Sequence, residues 1–163
     1  MTEVFASLAF YTFGLVSVGG AVGMIAARRL VHSAIFLVVS FLAVAAIFLL
    51  AGADFLSAVQ VLIYAGAIMI LMLFAIMLTP GQTESAGNPG QKLGSMLVAG
   101  GFLVVSAYSV LGTNWPLARS VADQPTTFGI GEMILNRFVL PFELASVLLL
   151  AAMVGAILIA RED

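Results

Sequence analysis

Residues 54–79 read DFLSAVQVLIYAGAIMILMLFAIMLT, a run long and apolar enough to cross a membrane as one helix. A hydrocarbon layer about 30 Å thick takes roughly 20 such residues at the rise of an α-helix. Lipid offers no partner to an unpaired backbone group, so an unbroken apolar run without strand-like alternation spans as a helix. The middle of this run is unusual. Gln60 and Tyr64 stand where the bilayer is driest, and Ala65-Gly66-Ala67 follows at once. Ser57, Gln60 and Tyr64 are spaced three and four apart, which at 100° per residue places them within a sector of about 60°. A glutamine amide has two donors and an acceptor to satisfy, so this stripe faces protein or water and never lipid. Two readings stay open: glue between helices, at around 0.6 kcal/mol for each polar contact, or a buried side that takes up water.

Gly66 divides in the same way. Glycine weakens a helix by about 1 kcal/mol against alanine. In membranes that loss is commonly offset by the close approach of a neighbouring backbone. The other option is a soft ladder that admits one extra residue as a π-bulge, a feature frequent at functional sites. Each inserted residue turns the following half-helix by roughly 100°, and beyond Gly66 every side chain of the run is apolar.

The rest of the chain supports a membrane setting. Of 163 residues 63% are hydrophobic and 9% charged, with mean hydropathy +1.20; a soluble domain carries about 25% charged residues. Too little polar surface exists to coat a water-soluble globule. A net charge of −2, with no basic cluster larger than Arg28-Arg29, gives no basis for a nucleic-acid partner. Cysteine is absent and His32 is the lone histidine, which removes disulfides, thiolate clusters, paired-histidine haem ligation and an ordinary zinc site. No paired carboxylates, nucleophile with a base or phosphate-binding glycine loop is present, so any redox chemistry belongs to other subunits, and no cofactor is expected on this chain.

Five segments meet the length of a span, at about 4–27, 30–50, 55–78, 93–111 and 141–160, and they predict an all-α, five-helix membrane protein of one domain. The start, MTEVFASLAF, lacks a basic n-region and a clear cleavage site, and reads as a retained first helix. Loop 80–92 is rich in Gly, Pro and small polar residues; within loop 113–140, GIGEMILNRFVL is a weak signal for a short interfacial helix. With five spans, one face receives Arg28, Arg29, Lys92 and Arg161 and the other Arg119 and Arg137. The positive-inside rule then puts the N-terminus outside, on the periplasmic side, and the C-terminus in the cytoplasm.

Further residues each carry two readings. Gly19, Gly23 and Ala27 form a small-xxx-small face that predicts a partner helix, in this chain or another. Glu143 follows Pro141-Phe142 near the start of the last span. It either steadies the free N–H groups and dipole of that helix end or stands near a proton path, as intramembrane acids do by default. Asp54 has the same helix-start reading, and His32 reads as an interfacial residue.

The run ADFLSAVQVLIYAGAIMILMLFAIML, with its Tyr-Ala-Gly-Ala core and Met-rich continuation, resembles the third helix of the J subunit family of bacterial respiratory complex I, equivalent to subunit 6 of the mitochondrial enzyme. The end of the chain, LPFELASVLLLAAMVGAILIARED, is similar to the last helix of the same family. The resemblance implies a non-catalytic subunit in the membrane arm of proton-pumping NADH:quinone oxidoreductase, in the bacterial cytoplasmic (inner) membrane. It implies packing against the A, H, K and N subunits, with FMN, iron–sulfur clusters, NADH and quinone held by other subunits. It also implies a third helix whose π-bulge forms and relaxes at Tyr64, Ala65, Gly66 and Ala67, changing water access to a proton path near Gln60 and Glu143. Gln60 matches a position where some members carry Glu; an amide does not titrate, so no proton-transfer role is carried over to it.

Overall fold

A computed structural model describes residues 2–79, 89–114 and 126–161, and every regular element among them is a helix. These are α1 (Thr2–Ala26), α2 (Leu30–Leu50), α3 (Asp54–Leu78), α4 (Pro89–Gly112), α5 (Thr126–Asn136) and α6 (Val139–Ala160). All but α5 contain a span long and apolar enough to cross a membrane, so the five-helix membrane fold expected from the sequence is the fold found. Most of loop 80–92 and the centre of loop 113–140 lie outside the described residues. The short helix signalled by GIGEMILNRFVL is α5, and it begins three residues before that stretch.

The chain divides into two units, one of 1–78 with 122–163 and one of 79–121. In the first unit α1 and α2 form an antiparallel hairpin, and small residues set its seam. A Cβ added to Gly20 would lie 3.0 Å from the Phe36 carbonyl oxygen and 3.0 Å from Ser40 Cβ, so α2 rests directly on the α1 backbone there. Gly23 faces the Phe36 ring. Gly19 meets nothing within 4 Å. Within this chain the close approach is made at Gly20 and Gly23, while Gly19, of the face expected to meet a helix of this chain or another, makes no such contact here. The register depends on where α2 leans, and hydroxyl groups hold it. The Ser40 hydroxyl donates to the Ser17 carbonyl at 2.9 Å and the Ser33 hydroxyl to the Met24 carbonyl at 2.6 Å. Such bonds let polar side chains enter an apolar seam without leaving a donor unpaired. Ala34, Ala43 and Ala45 fill the buried face of α2 with minimal bulk.

The turn after α2 explains why glycine stands in Ala51-Gly52-Ala53. Gly52 has φ +73°, its N–H reaches the Leu49 carbonyl, and the Ala53 N–H reaches the Phe48 carbonyl. This is a Schellman end, which uses a left-handed residue to satisfy the last carbonyls of a helix. The chain thereby reverses in three residues and lays α3 along α2. At the start of α3 the Ser57 hydroxyl donates to the Ala45 carbonyl at 2.9 Å, fixing that contact.

Within its unit α6 has one helix neighbour, α5, which in turn meets the first turns of α3. The side chains of α6 are exposed apart from those at Val139 and Gly155, which are half-buried. In the second unit, α4 is exposed along all its described side chains except the half-buried Ser106.

Candidate functional site at the middle of α3

Helix α3 is an ordinary α-helix through Val59, where the Gln60 N–H still bonds the Leu56 carbonyl, four residues back. From Gln60 to Ile68 it is a π-helix, and at its end the Met69 N–H reaches Tyr64, five residues back. Met69–Leu78 is α-helical again. Most π geometry occurs as single-turn bulges; here nine residues share it.

Gly66 sits inside this segment. A Cβ placed on it would lie 3.2 Å from the Val61 carbonyl oxygen, five residues back on the same helix, and meets no other described atom within 4 Å. The glycine is therefore not opened for a neighbouring helix of this chain. It relieves the turn itself, where a side chain would press on the carbonyl that the wider ladder brings close.

The sequence stripe is placed as follows. Ser57 is half-buried and bonded to α2. Gln60 is 8% exposed as a residue. Its amide oxygen and nitrogen are not among the fully buried atoms left without a partner, so they keep access to water or to a polar group of another chain. The Tyr64 ring meets Phe41 of α2 edge-on, with centroids 5.8 Å apart and planes at 70°. α-Helical periodicity is interrupted at Gln60 and resumes at Met69, which is 1% exposed and the largest fully buried side chain. Ser57 and Tyr64 each touch α2 and Gln60 is buried, but Tyr64 is otherwise exposed, at 45%; Ala65 and Gly66 are half-buried and Ala67 is exposed.

Glu143 is elsewhere. Helix α6 begins at Val139, two residues before the expected start, so Glu143 is its fifth residue, past the first turn, and it is exposed. Its backbone carbonyl accepts a bond from the Ser146 hydroxyl, while its carboxylate has no described partner. Asp54 is the first residue of α3 and places its charge at the positive end of the helix without a side-chain cap bond. No three His, Cys, Asp or Glu side chains gather as a metal site among the described residues. Ser33, Ser40 and Gly20 were missed by sequence reasoning. Their signal was available in part: Ser33 and Ser40 are seven residues apart and so share a face of α2.

Five apolar spans among the described residues define a helical, multi-pass membrane protein. The chain belongs to the family described as NADH-ubiquinone/plastoquinone oxidoreductase chain 6, whose model matches residues 20–159. It is similar to NAD(P)H-quinone oxidoreductase chain 6 of Synechocystis, 39% identical over 160 residues, covering 96% of this chain and 81% of that one. It is also similar to F(420)H(2) dehydrogenase subunit J of Methanosarcina mazei, 38% identical over 168 residues and covering 99% and 92% of the two chains. A third relative is NAD(P)H-quinone oxidoreductase subunit 6 of the Paulinella chromatophora chromatophore, 39% identical over 160 residues, covering 96% of this chain and 78% of the relative. The chain is accordingly a membrane subunit of an NADH-quinone oxidoreductase complex, and other subunits of that complex are its partners.

Proposed function

We propose that this subunit couples quinone reduction to proton translocation, and that the middle of α3 is the element that changes between states. The observation that carries the proposal is the π-helical segment Gln60–Ile68, with a largely covered glutamine at its start and a glycine within it that leaves room for the Val61 carbonyl. Relaxing one π turn to α geometry removes a one-residue offset and turns the half-helix Met69–Leu78 by roughly 100°. That rotation moves the apolar half-helix relative to the sector holding Gln60 and Tyr64, and so changes where water can stand. Tyr64, Ala65, Gly66 and Ala67 form the hinge and Gln60 lines the wettable side; Glu143, exposed on α6 and apart from this segment, supplies an acid to the proton path where other subunits join it. The A, H, K and N subunits surround the chain; FMN, iron–sulfur clusters, NADH and quinone belong to other subunits. The membrane is the cytoplasmic membrane of a bacterium, with the N-terminus outside.

Replacing Gly66 with Val in the assembled complex tests this. The Val side chain presses on the Val61 carbonyl and drives the segment out of π geometry. Coupled quinone reductase turnover and proton pumping should fall, while NADH oxidation by an artificial acceptor at the peripheral subunits stays near wild type. Unchanged coupled turnover in a fully assembled variant sinks the proposal. The serine bonds of α2 and α3 favour a second reading, a purely structural packing subunit. That reading predicts the same π geometry in resting and turnover states.

A further inference from the structure

Beneath the α1–α2 turn lies an open groove of about 120 Å³, lined by Met24, Ser33, Ala34 and Leu37 of the hairpin and by Met72 and Ile76 of α3. Its one hydroxyl, on Ser33, is already committed to the Met24 carbonyl. The groove thus offers a ligand no free polar side chain, and an apolar cavity of roughly 150 Å³ is known to stay dry and take a benzene-sized guest. A partner helix, about 10–12 Å across with its side chains, is too wide to enter. A short stretch of acyl chain fits.

Charge marks the mouth. Arg28 and Arg29 form the turn directly above, each exposed and without a carboxylate partner among the described residues. Met24 precedes Arg28 by four residues and Ser33 follows Arg29 by four, about one helical turn or 6 Å in each direction. The Arg28 and Arg29 backbones therefore stand about one turn from an apolar slot, at the level where a span ends, and their long side chains can span that distance. Guanidinium pairs phosphate oxygens in a bidentate fork, and basic pockets between membrane helices bind anionic lipid headgroups. We infer that this groove is a binding site for an anionic phospholipid, with its phosphate on Arg28 and Arg29 and one acyl chain between the α1–α2 hairpin and the end of α3. Because Met72 and Ile76 lie on Met69–Leu78, the site belongs to the π-helical state of α3, and it does not require that the segment change geometry.

The test uses the intact complex in phosphatidylcholine vesicles doped with a phospholipid that carries a photoreactive acyl chain. With a phosphatidylglycerol probe, label is expected on the segments holding Met24 to Leu37 and Met72 to Ile76. A phosphatidylcholine probe should label them several-fold less. The double variant Arg28→Gln/Arg29→Gln should bring the phosphatidylglycerol signal down to the phosphatidylcholine level, and Arg28→Lys/Arg29→Lys should retain most of it. Met72→Trp fills the groove from its half-exposed edge with the charges intact, and should also lose the label; it keeps the test open if the glutamine variant does not assemble. Equal labelling by both probes overturns the inference, as does a signal untouched by these variants. Absence of label from the groove, as when another subunit covers it, overturns it too.

Discussion

Gly19 and Gly20 are neighbours in the chain but face different surroundings, and the difference is measurable. Alanine at Gly20 sets a methyl group 3.0 Å from the Phe36 carbonyl and Ser40 Cβ, neither of which is the free end of a flexible side chain. Overpacking of this kind costs about 1–3 kcal/mol. Alanine at Gly19 meets nothing within 4 Å and gains up to about 1 kcal/mol of helix propensity. Unfolding of the isolated chain in mixed micelles, followed by circular dichroism, should therefore show Gly20→Ala losing stability and Gly19→Ala keeping or gaining it. Sequence spacing could announce a small-residue face on α1 but not which of two adjacent glycines it uses. That choice is made by Phe36 and Ser40 on another helix. Gln60 poses the opposite test. Its side chain is largely covered, yet its amide atoms are not among the fully buried, unpaired ones. Gln60→Leu should therefore leave the chain about as stable as wild type, yet lower coupled turnover. Wild-type turnover in that variant would remove Gln60 from the proposed wettable path.

For α3 as an element, the two halves differ in how they are held. The first half is pinned by the hydroxyl of Ser57 on the Ala45 carbonyl, a bond of the kind that averages about 0.6 kcal/mol in a membrane protein. Ser57→Ala should cost about that much in the same unfolding measurement, and a loss of several kcal/mol would mean that Ser57 does more than hold α2. The middle is held by its own ladder, and Gly66→Ala perturbs it at one point. The new methyl group lies 3.2 Å from the Val61 carbonyl, while alanine favours α geometry by about 1 kcal/mol. Amide exchange across Gln60–Ile68 should slow as the segment shortens to α bonds; exchange as fast as wild type would show that Gly66 does not govern the turn. The polar residues and glycine of this segment were legible because they interrupt an apolar run. Its nine-residue length was not, since periodicity arguments assume 3.6 residues per turn and cease to apply where the ladder widens. The start of α6 was displaced for a different reason. Any of the first helical positions tolerates a proline, since their N–H groups are free. Pro141, third in a helix that begins at Val139, therefore marks the first turn but not the first residue.

At the scale of the molecule, self-packing is confined to part of the chain. The buried residues belong to α1, α2 and α3, whereas the described side chains of α4 and α6 are exposed almost throughout. A helix that is apolar and buries little within its own unit, as α6 does, meets lipid or another protein surface, which is the arrangement expected of a component of a larger membrane complex. Orientation is the property of the whole chain that remains a proposal, and the absence of cysteine makes it directly testable. The α1–α2 turn carries Arg28 and Arg29, whereas the α2–α3 turn, Ala51-Gly52-Ala53, carries no charge before Asp54. If cytoplasmic loops hold the excess of Lys and Arg, a membrane-impermeant thiol reagent applied to intact cells should label Ala51→Cys and Asn114→Cys. It should reach His32→Cys and Arg161→Cys only after the cells are opened. All four positions are exposed, so weak labelling cannot be assigned to burial within this chain. The opposite pattern would place the N-terminus in the cytoplasm. It would also move the lipid site beneath Arg28 and Arg29 to the outer leaflet.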